Sequence, residues 1–395
     1  MPEPKVRFKM DDGSSFPAWN DVVLGDIATR VTRKNTNGET DRPLTIASIE
    51  GLVDQRTYFG KTIASKDMTG YFLLKNGEYA YNKSYSAGYD YGSIKRLDKY
   101  DMGALSTLYI CFELDEDQNT DFYDCYFNGL SWYNQMPQIC AEGARNHGLL
   151  NVSPNDFFKI QLSVPSSKEE QQKIADFLSS VDEVITASEE EVANLEMQKK
   201  AAMKKIFSQE VRFRRADGSV FPEWEEKRLD EVVEFLDGMR KPIETGDRVA
   251  GPYPYYGASG ITDYVEGYIF DEDLILLSED GANILDRNYR VCFMARGKYW
   301  VNNHAHVLKA NTDCVNEYIC EYLESLDYSR MNSGSAQPKI NQQTCRKIPV
   351  KKPCLEEQRL IADFLSDFDE AIAAAKKELE LWKELKKGLL QQMFV

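Results

Sequence analysis

The chain has 395 residues, room for two or three ordinary domains, and its 42% hydrophobic and 12% aromatic content excludes a disordered protein. No apolar run reaches the roughly 18 residues of a membrane span. The first residues, Met1-Pro-Glu-Pro-Lys-Val-Arg-Phe, lack an apolar signal region, and the eight cysteines (111, 125, 140, 292, 314, 320, 345, 354) form no C-x-x-C pair, so buried thiols in a cytoplasm are expected rather than disulfides or zinc.

In chain order, the first feature is Val6–Trp19, VRFKMDDGSSFPAW, which returns as Val211–Trp224, VRFRRADGSVFPEW, with nine of 14 positions identical at an offset of 205. Residues 20–165 follow, with the turn and short-strand signals of a mixed α/β interior. Near its end a polar loop, Gly143-Ala-Arg-Asn-His-Gly-Leu-Leu-Asn151, leads into a strand, Ile160-Gln-Leu-Ser-Val-Pro165.

Next comes Glu169–Ile185, EEQQKIADFLSSVDEVI, repeated as Glu356–Ile372, EEQRLIADFLSDFDEAI, with twelve of 17 positions identical at an offset of 187. The chain is therefore two copies of one module whose interiors have diverged. Both trailing segments carry a 4,3-spaced seam. In the first it is Ile174, Leu178, Val181, Ile185, Ser188, Val192, Leu195, Lys199, Ala202 and Ile206. In the second it is Ile361, Leu365, Phe368, Ile372, Ala375, Leu379, Trp382, Lys386, Leu389 and Met393.

A 3.5-residue period held over more than four heptads predicts two helices zipped along their length. From Ile174 to Ile206 the helix would run roughly 50 Å at about 1.5 Å per residue. Antiparallel packing about a pseudo-twofold would set the two modules at opposite ends of a rod. Lysine occupies the same seam position in both copies, 199 and 386. Snorkelling to solvent is the commoner explanation, and a polar device fixing register is the other.

Residues 225–352 form the second mixed α/β interior, with strand signals at Tyr253-Pro-Tyr-Tyr, Tyr268-Ile-Phe and Leu274-Ile-Leu-Leu-Ser. Ser278-Glu-Asp-Gly-Ala-Asn283 reads as a turn capped by its own acids. Alternation in His304-Ala-His306 puts both imidazoles on one strand face; with no third ligand evident, hydrogen-bonded structural histidines are expected rather than a metal site. A second polar loop, Gly334-Ser-Ala-Gln-Pro-Lys-Ile-Asn341, leads into Ile348-Pro-Val-Lys-Lys-Pro353. The two loops share a frame and differ at their tips: Arg145, Asn146 and His147 against Ser335, Gln337 and Lys339. Such side chains can tell base edges apart in a major groove, unless these are ordinary polar turns.

The net charge of −16 opposes a simple nucleic-acid reading. Charge is unevenly spread, however. Tyr328–Pro353 holds six basic residues, Arg346 among them, and no acid, whereas Glu169–Gln198 holds nine acids and one lysine. A local basic surface can attract phosphates while an acidic helix stays in solvent. Catalytic signatures are missing: there is no G-x-x-x-x-G-K-[ST] loop, no G-x-S-x-G elbow and no Asn/Asp-Pro-Pro-aromatic run.

The paired Glu-Gln-x-x-Ile-Ala-Asp-Phe-Leu helices (170–178 and 357–365) and the Val-Arg-Phe…Phe-Pro-x-Trp segments resemble those of type I restriction–modification specificity subunits. Within the interiors, 252–309 and Asn82-Lys-Ser-Tyr-Ser-Ala-Gly-Tyr-Asp-Tyr-Gly92 are similar to two subclasses of that family's target-recognition domain. The resemblance implies target-recognition domains at 1–167 and 209–353, spacer helices at 168–208 and 354–395, and no catalysis by this chain. Its partners would be double-stranded DNA, two methyltransferase subunits carrying S-adenosylmethionine, and, where restriction exists, motor–nuclease subunits. Candidate DNA-contacting residues are Lys83, Tyr85, Arg145, Asn146, His147, Ser335, Gln337, Lys339 and Arg346; the apolar seam residues would dock the methyltransferases. An assembly scaffold built on the helical rod that does not read DNA, and an enzyme with a dispersed site, are the competing readings.

Overall fold

The computed structural model describes residues 3–61, 63–86, 88–140, 150–331 and 338–395. They gather into two units, Met1–Ala187 with Leu379–Val395, and Ser188–Glu378. In the first, an antiparallel sheet has the spatial order Ala28–Val31, Ile110–Leu114, Tyr79–Asn82, Ser93–Arg96. Its inner strand Tyr79–Asn82 is buried at three successive positions, Tyr79, Ala80 and Tyr81, rather than alternating with solvent, because both faces are covered. Tyr79 and Tyr81 enter one core with Phe112, Phe122 and Phe127, while Ala80 turns to another with Val31, Leu74 and Leu105.

The second unit repeats this frame with Val233–Phe235, Ala305–Ala310, Leu274–Ser278 and Cys292–Ala295. Here too the strands that come first, fourth, second and third in the chain lie side by side. Ile275 and Leu277 face one core, Leu274 and Leu276 the other. The additions differ. The first unit carries two two-stranded sheets, Leu44–Ala47 with Gly51–Asp54 and Phe72–Lys75 with Met102–Leu105. The second carries a four-stranded sheet in the order Gly260–Val265, Ala250–Gly257, Lys298–Val301, Phe270–Asp271.

The repeated sequence segments meet in a clasp that each unit forms once. In the first unit the strand Trp19–Val23 pairs antiparallel with Gln161–Pro165. Arg7 Nε and Nη2 donate to the two carboxylate oxygens of Glu170 at 2.9 and 2.8 Å, and Trp19 Nε1 adds a third bond at 3.3 Å. In the second unit Glu225–Arg228 pairs with Pro349–Lys352. Arg212 reaches Glu357 at 3.2 and 2.9 Å, and Trp224 donates at 2.9 Å. Both glutamates are fully buried. Such a carboxylate is tolerable only because a bidentate guanidinium and an indole N–H replace its water.

The helices Lys168–Phe207 and Leu355–Met393 pack together. They run antiparallel: going from Asp182 to Lys199 advances 17 residues on one helix, and their partners, Lys386 and Asp369, lie 17 residues apart in the reverse sense on the other. Near each helix start the seam joins a unit's own core, through Ile174 and Leu178 in one and Ile361 and Leu365 in the other. Val181 and Leu379 are also buried. Ile185, Val192, Leu195, Phe368, Ile372 and Trp382 are half-buried.

The shared lysines do not snorkel. Lys199 is buried and donates to Asp369 at 2.6 Å with Glu321 at 3.1 Å; Lys386 donates to Asp182 at 2.5 Å. The two aspartates are themselves repeat equivalents, so each lysine meets the other copy's aspartate and the pairing holds in only one register. No helix among the described residues is long and apolar enough to cross a membrane.

Candidate nucleic-acid interface

Where the central strand of each sheet ends, several loops converge. In the second unit Leu274–Ser278 runs out into Glu279-Asp280-Gly281. Ser278 pairs with Ala305 across the sheet, so His304 stands opposite Glu279, whose amide donates to the His304 carbonyl at 2.9 Å. The chain arriving from the second polar loop lies over this turn: Gly281 N donates to Pro338 O at 3.0 Å and Ile340 N to Glu279 O at 2.8 Å. The Ser278 hydroxyl bonds the Ala258 carbonyl, and Asn302 N reaches Tyr256 O at 3.0 Å, drawing in a further loop.

The charges at this edge form one network. Glu279 lies 2.8 Å from Arg240 and 3.2 Å from Lys339. Asp237 accepts from His306 Nδ1 and Gln342 Nε2 at 2.8 Å each and from the Val307 amide at 2.9 Å. Burial pushes the Asp237 carboxyl up, but the hydrogen bond and charge of His306, the Val307 amide and Arg240 outweigh it and hold the group below its ordinary value. Glu279 is likewise lowered, with burial opposed by Arg240, His306 and Lys339. The segment 278–283 is therefore not a turn capped by its own acids: its carboxylates are held by residues far away in the chain.

The two histidines also separate. The strand begins at Ala305, so His304 precedes it. His306 is buried with both nitrogens engaged, Nδ1 by Asp237 and Nε2 by the Ile340 carbonyl at 2.8 Å. His304 is exposed, with Nδ1 3.0 and 3.1 Å from the carboxylate oxygens of Asp280. Among the described residues, no group of three or more His, Cys, Asp or Glu could hold a metal ion. A groove of about 620 Å³ in this unit, lined by Arg290, Arg296, Glu317, Glu321 and Asp369 among others, includes none of these loop residues.

In the first unit Tyr79–Asn82 runs out into Lys83-Ser84-Tyr85-Ser86. Asn82 Oδ1 accepts from Ser84 N at 3.0 Å, and Ser86 Oγ lies 2.8 Å from Ser48 Oγ. Leu150 N, just beyond the first polar loop, donates to Lys83 O at 2.8 Å, as Ile340 N does to Glu279 O. Lys83 and Glu279 thus occupy the same place in the two frames with opposite charge. Lys83 is half-buried with no ion pair among the described residues, and burial lowers its pKa. Tyr85 beside it is 62% exposed.

Of the residues singled out in the sequence, Lys83 and Tyr85 thus share one edge, and Lys339 lies on the equivalent edge of the second unit. Arg346 ends the short helix Gln342–Arg346, its guanidinium 4.4 Å above the Phe235 ring. Arg145, Asn146, His147, Ser335 and Gln337 lie outside the described residues. Sequence reasoning missed Asp237, Arg240, Glu279 and Asp280 as members of the site. The six-residue run 278–283 drew notice, but only the fold shows what faces it.

The model of the "Type I restriction modification DNA specificity domain" family matches residues 19–197 and again 222–381. A Haemophilus influenzae protein named as a type I restriction enzyme specificity subunit is 37% identical over 143 residues, 36% of each chain. The MjaVIII type I restriction enzyme specificity subunit of Methanocaldococcus jannaschii is 26% identical over 202 residues, 48% of this chain and 46% of that one. The chain thus spans between a third and a half of the length of these curated relatives. The crystal structure of a type I restriction–modification S subunit from M. genitalium superposes with a TM-score of 0.57 at 17% identity, covering 100% of this chain and 99% of that one, a likeness of fold.

Proposed function

The chain belongs to the type I restriction–modification DNA specificity family, and on that premise we propose that it reads a bipartite double-stranded DNA target, one half through each unit. Methyltransferase subunits dock on the two long helices and bring S-adenosylmethionine. This chain itself supplies recognition and no reaction, and a motor–nuclease subunit completes restriction where one exists.

The observation that carries this reading is the same sheet frame ending in opposite chemistry, Lys83 in one unit and Glu279 with its Arg240–Lys339 pair in the other. An ammonium can donate to guanine O6 and N7, whereas a carboxylate accepts from amines, so equivalent edges suit different base sequences. Because Arg240 and Lys339 are already paired with Glu279, their charge is partly offset toward phosphates, and affinity and salt slope should be modest without partners.

Selection from a randomised duplex pool tests this, using the full chain alone and assembled with methyltransferase subunits over a salt series. A gapped consensus with two specified elements is expected. The absence of any sequence preference would favour the scaffold that does not read DNA, a reading the net charge of −16 supports. Metal-dependent turnover by the isolated chain would favour an enzyme instead.

A further inference from the structure

We propose that His304 reads a base in the half-site of the second unit, its Nε2 accepting from the exocyclic amine of an adenine or cytosine, with Asp280 as the residue that positions it. The inference rests on the reading above and assigns it to one atom. A carboxylate only accepts, so the His304 nitrogen facing Asp280 carries a proton, and the tautomer this bond selects has Nε2 as its acceptor. No hydrogen bond to Nε2 is formed among the described residues, and the side chain is 51% exposed, against 20% for Asp280. His306, two residues on, gives the contrast: both of its nitrogens are spent inside the fold, which makes it structural.

Among the described residues the surroundings are open in the way a groove-binding edge requires. Gly281 and Gly260, at two of the converging tips, have φ of +114° and +123°, and a Cβ on either would meet no atom of the described residues within 4 Å. Glycine there lets the backbone turn sharply and leaves room for a close approach. His304 itself is braced, its amide bonded to Asn302 Oδ1 at 2.8 Å and its carbonyl to the Glu279 amide. A half-exposed ring with one nitrogen bonded to Asp280, on a turn held by hydrogen bonds of its backbone amide and carbonyl, presents a single acceptor in a defined direction. In the major groove only adenine N6 and cytosine N4 offer an amine to such an acceptor.

The duplex selection described above, run with the full chain in complex with methyltransferase subunits, tests this with His304→Ala, His304→Gln and Asp280→Ala. For His304→Ala, preference at a single A or C position should fall on the order of tenfold, with every other position unchanged. Asp280→Ala should weaken the same position by less, since the ring loses its fixed tautomer but keeps Nε2. His304→Gln, which keeps an acceptor, should hold part of the preference and guards against a folding effect of the alanine. An unchanged His304→Ala consensus, or an even loss across both half-sites, overturns the assignment while leaving DNA recognition intact. A wild-type complex that selects no consensus removes the recognition reading and this inference together.

Discussion

Lys199 and Lys386 are the same residue in two copies of one module, yet replacing each with methionine should have unequal effects. Methionine keeps most of the stem and deletes the charge. The Lys199 side chain is 8% exposed and faces Glu321, also 8% exposed, at 3.1 Å and Asp369 at 2.6 Å. Removing one partner from a buried pair costs about 3–5 kcal/mol. Arg290 stays on Glu321 at 2.5 Å and offsets part of that, leaving roughly 2 kcal/mol. Lys386 and Asp182 are 25% and 47% exposed, and a pair so solvated contributes no more than about 1 kcal/mol. The assay is urea unfolding followed by hydrogen exchange, comparing amides of Asn316–Glu324 in Lys199→Met with those of Thr120–Asn128 in Lys386→Met. Added salt should erase the small effect and spare the large one. Equal losses in the two variants would refute the claim that partner burial decides the magnitude.

Arg212→Ala strands the buried Glu357 and should cost about 3–5 kcal/mol in thermal or urea unfolding, with Arg212→Lys recovering only part because an ammonium cannot chelate both oxygens. Burial lowers the Lys95 pKa to about 8, opposed by Asp124. The unfolded chain then binds the extra proton between about pH 8 and 10, so this residue's penalty is full below 8 and fades as pH rises. Lys95→Met should accordingly stabilise the protein at pH 7 and converge with the wild type toward pH 10, whereas a constant difference across unfolding curves would show that Lys95 is not the cause. Gly92 has φ of +80°, and a Cβ there would sit 1.9 Å from the Asn82 carbonyl. Gly92→Ala should therefore distort the 83–92 loop and show up as lost exchange protection there and weakened binding at the first half-site.

The sequence by itself determined the duplication and the two long helices with their seams, because each is written in local repeats: a 3.5-residue period and two motifs repeated at fixed offsets. The antiparallel sense, expected from the pseudo-twofold, is shown by the Lys386–Asp182 and Lys199–Asp369 pairs. It also contained the clasp, since Arg7, Trp19 and Glu170 recur as Arg212, Trp224 and Glu357; the pattern marked them as shared without saying that they touch. The role of the seam lysines needed the register of two helices, which puts Lys199 beside Asp369, 170 residues away in the chain. The network at the candidate interface likewise belongs to tertiary structure alone. Arg240 meets Glu279 across 39 residues and His306 meets Asp237 across 69. Neither pair has a spacing that a helix or strand period could reveal. Local periodicity dictates which face a residue takes, and only the closing of the sheet brings the charges of distant loops together.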